Sequence, residues 1–229
     1  MRAIVTGANR GIGLEFVRQL LARGDRVVAG VRRPTAGDAL HALAAAQPDA
    51  LHVLPLDVGA PESIAAFAER AGALLDGIDL LVNNAGILHR DERFGDIGAA
   101  AFEDSFRINA MGPFLLTQAL APRLARGGCV VNMSSRLGAM ALKDGFLTPT
   151  YSVSKAALNM VSVLLAHALA DAGVRVFPVS PGWVRTDMGG TTAEVDPRDA
   201  VAGLLRLAAE APQEDSGRFR DWTGAAIDW

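Results

Sequence analysis

Short apolar runs recur along the chain, and each run is followed by a longer segment whose apolar residues repeat with helical periodicity. This alternation is typical of parallel strands connected by helices that lie on the sheet. The pattern predicts six or seven strands, at residues 3–6, 26–31, 51–56, 80–83, 129–133, 174–179 and, for a short last one, near 218–222. It predicts helices that begin near Gly11, Thr35, Pro61, Ala99, Thr150 and Pro197. The sequence therefore predicts an α/β fold, a doubly wound parallel sheet of about seven strands with helices on both faces.

Glycine and proline mark the end of the first helix and an interruption in a later one. The first helix is expected to end at Gly24, because glycine accepts the left-handed conformation of a helix C-terminus. Pro113 falls inside a helical stretch that runs from about Ala99 to Leu124, where proline removes an amide donor. We expect a kink there that frees backbone carbonyls near Asn109, an arrangement that can serve an active site.

Composition narrows the possible functions. Of the 229 residues, 50% are hydrophobic and 21% are charged, and no linker or internal repeat divides them, so the sequence predicts one folded domain over residues 1–229. The net charge of −3 offers no excess of cations for a nucleic-acid backbone, so nucleic acid is not expected as a partner. The single Cys129 cannot form an internal disulfide, and with four scattered histidines it predicts no metal site. We expect a cytoplasmic protein, because neither a signal peptide nor the roughly 18 apolar residues of a membrane span are found.

A glycine-rich turn joins the first predicted strand to the first predicted helix. Residues 6–13 read Thr-Gly-Ala-Asn-Arg-Gly-Ile-Gly. In such a turn, glycines let the backbone approach a pyrophosphate that lies at the N-terminus of the helix. Strand-to-helix turns also use glycine for backbone geometry alone. The motif therefore indicates a dinucleotide site only together with the features that follow it.

Tyr151 is the only tyrosine of the chain, and Lys155 is one of only two lysines. Residues four positions apart share one face of a helix, so these two side chains are expected to lie together. An unperturbed phenol has a pKa of about 10, too high for efficient proton exchange near neutral pH, and a lysine close by is expected to lower it. The pair predicts a proton-transfer site, against the alternative of an exposed tyrosine with a solvated lysine.

The glycine-rich turn, the Asp-Val pair at residues 57–58 and the Asn-Asn-Ala-Gly segment at residues 83–86 together resemble the short-chain dehydrogenase/reductase family. The resemblance spans nearly the whole chain and includes the tyrosine and lysine pair. It implies a Rossmann-type fold and an NAD(P)-dependent oxidoreductase. The closing residues 216–222 and the Pro-Gly-Trp turn at residues 181–183 look most like the C-factor, sniffer and carbonyl-reductase-like branch of that family.

The resemblance implies a role in nucleotide binding for residues from most of these motifs. In the family, the residue at the end of the third strand holds the adenine amino group, a role that falls here to Asp57, while Val184 and Thr186 would bind the nicotinamide carboxamide. The alternatives are a helix N-cap for Asp57, a plain β-turn at Asn84 and a Pro-Gly turn capped by Thr186. The implied cofactor-binding residues are Gly7, Asn9, Arg10, Gly11, Ile12, Gly13, Arg32, Asp57, Val58, Asn84, Ala85, Gly86, Tyr151, Lys155, Pro181, Gly182, Val184 and Thr186.

The same resemblance implies a catalytic set of Asn109, Ser135, Tyr151 and Lys155. Tyr151 would donate a proton to the substrate oxygen, and Lys155 would bind the ribose. Ser135 follows the fifth predicted strand and would hydrogen-bond the substrate oxygen and polarise the carbonyl. Ser134 competes for that role, since one of two adjacent serines often caps a turn. Asn109 matches the family asparagine that holds a water linked to the lysine.

The end of the second strand indicates which nicotinamide cofactor is used. An NAD-specific site needs a carboxylate there, but the chain reads Val-Ala-Gly-Val-Arg-Arg at residues 28–33. Arg32 can instead hold a 2′-phosphate, and Arg10 lies where the family often places a second basic contact. The sequence thus favours NADP(H), and the alternative is a solvated strand end.

The expected substrate pocket is apolar. Few residues separate Met188 from Pro197, so the pocket is expected to be open on that side. Its candidate walls suit a small or lipophilic aldehyde or ketone, and they are Leu88, Leu137, Phe146, Trp183 and Met188. The first hypothesis is an NADPH-dependent oxidoreductase that reduces such a carbonyl to an alcohol, or catalyses the reverse. The alternative is a nucleotide-binding signalling or redox-sensing protein of C-factor type with little turnover, against which the intact tyrosine and lysine weigh.

The helix expected at residues 154–170 is apolar in nearly every direction. One face must cover the sheet, so the opposite face would leave an apolar patch exposed in a monomer. The family commonly pairs this helix and the preceding one with their two-fold mates, and the preceding helix offers Phe102, Phe106, Phe114 and Leu120. We therefore expect a homodimer through these helices, unless another segment of the same chain covers the patch.

Overall fold

The structure, a computed structural model, describes residues 1–34 and 39–229. Its centre is a seven-stranded sheet in which neighbouring strands run parallel, in the order β3-β2-β1-β4-β5-β6-β7. The strands are β1 Arg2–Thr6, β2 Arg26–Val31, β3 Leu51–Pro55, β4 Ile78–Asn83, β5 Leu124–Met133, β6 Arg175–Ser180 and β7 Arg220–Asp221. Because β1 pairs with β2 on one side and with β4 on the other, the winding reverses beside β1. The predicted doubly wound sheet is confirmed.

Helices cover both faces of this sheet. Those in the described residues are α1 Gly11–Ala22, α2 Ala39–Ala46, α3 Pro61–Leu74, α4 Ala99–Phe106, α5 Gly112–Leu120, α6 Pro149–Ala168 and α7 Pro197–Glu210. Five of the predicted helix starts fall within one residue of the observed ones, and the start predicted near Thr35 lies outside the described residues. Gly24 takes the expected left-handed conformation after α1, with φ 78°. No helix in the described part of the chain is both long and apolar enough to cross a membrane.

The first strand is buried on both faces, which explains why it reads as an unbroken apolar run. Ala3 and Val5 belong to the core under α1 and α7, whereas Ile4 belongs to the core under α3, α5 and α6. Two apolar cores therefore enclose the sheet. The carboxyl ends of the parallel strands lie along one side of the sheet, and the loops that follow the strands lie there.

Pro113 interrupts the long predicted helix as expected, but with a π-helical turn rather than a simple kink. Residues Arg107–Met111 form this turn between α4 and α5. Gly112 donates its amide to the carbonyl of Arg107, five residues back, and Pro113 has no amide to donate. Asn109 lies buried within the turn, at the place where the sequence predicts the interruption.

The predicted continuation of this helix to Leu124 is wrong. α5 ends at Leu120, and Leu124 already pairs with Ile78 as the first residue of β5. The register between β4 and β5 shifts before the regular ladder resumes at Cys129, and Gly127 in this stretch takes a left-handed conformation with φ 81°. The strand therefore begins earlier than predicted, because its first residues are irregular and partly exposed and carry no apolar pattern.

The outer faces of α4 and α6 leave apolar side chains exposed. Met160 and Leu164 on α6 are 60% and 54% exposed, and Phe106 on α4 is 50% exposed. Leu120, which the sequence assigned to this surface, is instead fully buried in the core under α5, and Phe114 packs partly against the same core. The exposed apolar patch is therefore confined to α4 and α6.

Gly203 on α7 packs closely against the residues that follow β7. A Cβ at position 203 would lie 2.0 Å from the carbonyl oxygen of Trp222. Gly203→Ala should therefore destabilise the protein by about 1–3 kcal/mol through overpacking, although alanine is normally the better helix former. Gly145→Ala is the control, because a Cβ there meets nothing within 4 Å. Urea denaturation measures both variants, and equal stabilities would contradict the close contact.

Candidate active site

A cleft of about 420 Å3 opens along the carboxyl edge of the sheet, beside β1. Open α/β sheets bind their ligands at this reversal of the winding. The predicted site residues line the cleft, except Gly13 and Asn109, which are buried behind it. Those that line it are Gly7, Asn9, Arg10, Gly11, Ile12, Arg32, Asp57, Val58, Asn84, Ala85, Gly86, Ser135, Tyr151, Lys155, Pro181, Gly182, Val184 and Thr186.

The glycine-rich turn passes very close to the loop after β4. Gly7 has φ 63°, and a Cβ there would lie 2.9 Å from the Cα of Ala85. A Cβ at Gly13 would lie 2.3 Å from the carbonyl oxygen of Gly7. Both positions therefore require glycine for packing, and Gly13 has this role without reaching the cleft.

Hydrogen bonds from Thr6 and Asn84 hold the two loops together. The hydroxyl of Thr6 accepts from the backbone amides of Asn84 and Ala85 at 3.0 and 2.9 Å. The side-chain amide of Asn84 donates to the carbonyls of Thr6 and Gly7 at 2.9 and 3.2 Å. The plain β-turn reading of Asn84 is therefore wrong. Sequence analysis gave Thr6 no role, although its place before the first glycine, at the end of a strand, was the available signal.

Asp57 and Thr186 each line the cleft and also hold a local turn. The carboxylate of Asp57 accepts from the amide of Gly59 at 2.9 Å, but the residue that caps α3 is Ala60, so the helix N-cap reading of Asp57 is wrong. The hydroxyl of Thr186 accepts from the amide of Gly189 at 3.1 Å, which agrees with a capping role. The adenine contact of Asp57 and the carboxamide contact of Thr186 stay predictions.

The two adjacent serines have different surroundings. Ser134 is buried, and its hydroxyl donates to the side-chain oxygen of Asn159 at 2.6 Å. Ser135 is only partly buried, accepts from the amide of Leu137 at 3.2 Å and hydrogen-bonds the side chain of Tyr151. The structure therefore places the hydroxyl of Ser135, and not that of Ser134, beside the tyrosine.

Tyr151 and Lys155 lie together on α6 at the floor of the cleft. The Lys155 ammonium is 5.3 Å from the centre of the Tyr151 ring and donates to the carbonyl of Met133 at 2.6 Å. Lys155 is only 4% exposed, so the reading of a solvated lysine is wrong. Packing brings the lysine to the ring, as the four-residue spacing predicts.

Burial acts in opposite directions on the two groups. It raises the pKa of Tyr151 to about 12, although the hydrogen bond from Ser135 favours the phenolate, and it lowers the pKa of Lys155 to about 7. The net pKa of the phenol is therefore raised in this structure, and not lowered as the sequence led us to expect. Loss of solvation is the largest cause of both shifts, and the only other cause at Tyr151 is the hydrogen bond from Ser135.

Asn109 fixes the loop after β4 instead of facing the cleft. Its side-chain oxygen accepts from the amide of Ile87 at 2.8 Å, and its side-chain nitrogen donates to the carbonyl of Ile87 at 2.9 Å and to Ser154 at 3.0 Å. A Cβ at Gly86 would lie 3.1 Å from the Asn109 oxygen and 3.8 Å from the Lys155 nitrogen. Asn109 thus lies next to the lysine across Gly86, and the bound water expected between them stays a prediction.

The two arginines proposed for a 2′-phosphate differ in their partners. Arg10 forms an ion pair with Asp187 at 3.1 Å, and both side chains are largely exposed. Arg32 lines the cleft just after β2 and makes no hydrogen bond or ion pair with residues 1–34 or 39–229. Of the two guanidiniums, that of Arg32 is therefore the more accessible to an anion.

The expected substrate walls are found with one correction. Leu88, Leu137, Trp183 and Met188 line the cleft. Phe146 does not line it, and its ring instead packs edge-on against Phe94 with the ring centres 5.7 Å apart. The catalytic end of the cleft is thus bounded by apolar side chains on three loops.

Known proteins resemble the chain in sequence and in fold. A family model described as short chain dehydrogenase matches residues 1–196. C-signal of Myxococcus xanthus is 38% identical over 154 residues, which cover 66% of this chain and 93% of that protein. An NADPH-bound carbonyl reductase from chicken fatty liver has a TM-score of 0.93 and 35% identity, over 100% of this chain and 98% of that one. The carbonyl reductase Sniffer of D. melanogaster has a TM-score of 0.93 and 26% identity, over 100% and 99%.

These similarities agree with the motifs. The family match includes the glycine-rich turn, the loop after β4, the serine pair and the tyrosine and lysine pair. The predicted likeness to the C-factor, sniffer and carbonyl reductase branch is confirmed by the three relatives. The chain belongs to the short-chain dehydrogenase family.

Proposed function

We propose that the protein is an NADPH-dependent oxidoreductase that reduces a small or lipophilic aldehyde or ketone to its alcohol, or catalyses the reverse reaction. The observation that carries this proposal is the meeting of Tyr151, Ser135 and Lys155 in a cleft that also contains the glycine-rich turn. The bound nicotinamide supplies or accepts the hydride. The residues of the chain transfer the proton and orient the substrate.

Tyr151 is the proton donor in this proposal. With a pKa of about 12 the hydroxyl is protonated at neutral pH but is a weak acid, so its proton passes to the carbonyl oxygen only as hydride transfer turns that oxygen into the more basic alkoxide. Ser135 hydrogen-bonds Tyr151 and can donate to the same oxygen. A charged Lys155 beside the ring stabilises the phenolate that forms when the proton leaves.

The donor groups of the cleft fit a phosphorylated dinucleotide. Gly7 and Gly11, both at positive φ, carry no side chain where the backbone turns into α1, which favours the approach of a pyrophosphate to the N-terminus of this helix. Arg32 is accessible at the end of β2, where no carboxylate is present to hold the ribose hydroxyls of NAD. The NADPH in the related chicken carbonyl reductase supports the same cofactor for this chain.

A second candidate function is nucleotide-dependent signalling with little turnover, which the 38% identity to C-signal favours. A spectrophotometric screen of NADPH oxidation across aldehydes, ketones and quinones separates the two candidates. Turnover of any member of the panel supports the reductase. Tight NADPH binding without turnover supports the second candidate.

Assembly and location complete the proposal. We expect a homodimer, because a two-fold contact through α4 and α6 would cover their exposed apolar patch. A cytoplasmic location also stays a prediction.

Tyr151→Phe should lower kcat at least about a hundredfold and leave the Kd for NADPH within about twofold, because only the hydroxyl is lost. Steady-state kinetics and fluorescence titration measure the two effects. Ser135→Ala should also lower kcat, whereas Ser134→Ala should mainly lower the stability through its lost bond to Asn159. Normal turnover of Tyr151→Phe would contradict the mechanism.

Replacing Arg32 and Arg10 by alanine together should weaken NADPH binding about tenfold or more and change NADH binding by less than about twofold. Only NADPH carries the 2′-phosphate with which the guanidiniums would form charge-assisted hydrogen bonds. Titration of the wild type and the double variant with both nucleotides measures the effect, and NADH serves as the internal control. A wild type that prefers NADH would show that Arg32 is only a solvated strand end.

Lys155 should make the stability of the nucleotide-free protein depend on pH. Its pKa is about 7 in the folded chain and about 10.5 when unfolded, so between these values the unfolded state binds more protons and stability rises with pH. Lys155→Met should therefore be more stable than the wild type at pH 6, with a difference that shrinks toward pH 9. Urea denaturation at several pH values measures it. A difference that does not change with pH would contradict the buried amine.

If the protein is a homodimer, light scattering at micromolar concentration should give a mass near twice 24 kDa. Met160→Glu, on the exposed face of α6, should shift the protein toward the monomer, because it buries a charge in the proposed contact. Glu69→Lys on α3, away from that patch, is the control. A wild-type mass near 24 kDa with full activity would reject the dimer.

A further inference from the structure

Arg90 links two loops across the mouth of the cleft. It belongs to the loop after β4, and its guanidinium donates to the backbone carbonyls of Asp187 at 3.2 Å and Met188 at 2.8 Å, in the loop after β6. In the sheet, β5 lies between β4 and β6. The link therefore spans the carboxyl end of β5, which is followed by Ser135.

Each of the two loops is anchored separately near its own strand. In the first loop, Asn109 binds both the amide and the carbonyl of Ile87. In the second, Gly189 donates its amide to the hydroxyl of Thr186 and accepts at its carbonyl from the indole of Trp183 at 2.8 Å. Arg90 joins the first loop, beyond its anchor, to Asp187 and Met188, which lie between the two anchored residues of the second.

Residues on either side of this link line the cleft. Leu88, two positions before Arg90, and Met188, whose carbonyl accepts the shorter bond, both line the cleft. Arg90 itself does not line it. We infer that Arg90 is a positioning residue that holds Leu88 and Met188 at a fixed separation and thereby limits the size of the carbonyl substrate, an inference that rests on the proposed function.

The chemistry of the contact favours this role over a chance surface interaction. Arg90 contacts two consecutive backbone carbonyls, whereas the carboxylate of Asp187 is paired with Arg10 on the other side. The position of Arg90 therefore follows the path of the backbone and does not depend on the charge of Asp187. The segment between Met188 and Pro197 is short, so the link ties the loop after β6 to the loop after β4 where the sequence supplies no long covering segment.

Hydrogen exchange tests the link independently of any activity. Arg90→Ala should raise the exchange rate of the amides of Gly189 and Gly190 about threefold or more, because the loss of two hydrogen bonds frees the segment. Arg93→Ala is the control, since Arg93 lies in the same loop and its side chain is exposed. Equal exchange in both variants would overturn the inference.

Kinetics test the effect on the substrate. Arg90→Ala should raise KM for a small aldehyde about threefold to tenfold, change kcat and the Kd for NADPH by less than about twofold, and reduce the preference for small over bulky carbonyls. Arg90→Lys should restore part of the effect, because an ammonium can still donate to one carbonyl. An increase in exchange without any change in KM or size preference would overturn the role in selection. A wild type that turns over no carbonyl would refute the proposed function, while the exchange experiment would still decide whether the link exists.

Discussion

The close crossing of the chain at Gly7 and Ala85 is the constraint on which the site depends. A side chain at Gly7 would collide with the backbone of Ala85, and Thr6 and Asn84 join the same two segments by four hydrogen bonds. This crossing lies where the winding of the sheet reverses. It brings the N-terminus of α1 and the loop after β4 together at one cleft, in reach of a ligand that contacts both.

A second constraint is the burial of the reacting groups. α6 supplies Tyr151 and Lys155 from one face, while its outer face remains apolar and exposed. The low solvation of the floor raises the pKa of the phenol and brings the pKa of the amine close to neutrality. The resulting state suits proton donation to a carbonyl oxygen, and the charge on the lysine becomes most useful when the phenolate forms.

Irregular backbone supports both constraints. The π-helical turn at Arg107–Met111 places Asn109 where its amide can hold Ile87 and thereby the whole loop after β4. Farther along that loop, Arg90 reaches the loop after β6. The cleft is therefore shaped by a chain of contacts that begins in the middle of a helix and ends at the substrate walls.

The sequence by itself determined the order of strands and helices, the glycine-rich turn and the pairing of Tyr151 with Lys155. These features depend on periodicity, on backbone conformations that only glycine adopts easily, and on a four-residue spacing, all of which are local. It also located the interruption at Asn109, because the missing amide of Pro113 is a property of a single residue.

The tertiary structure alone decided which arginine is paired and which apolar residues are walls. For the serines it gave the physical reason: Ser135, implied by the family resemblance, meets Tyr151, whereas the hydroxyl of Ser134 is bonded to Asn159 in α6. Phe146 lies outside the cleft and beside Phe94, which is distant in sequence. The pKa of Tyr151 likewise follows from the burial of the assembled cleft. Contacts and solvation between distant segments arise only when the chain is packed, and a one-dimensional pattern does not contain them.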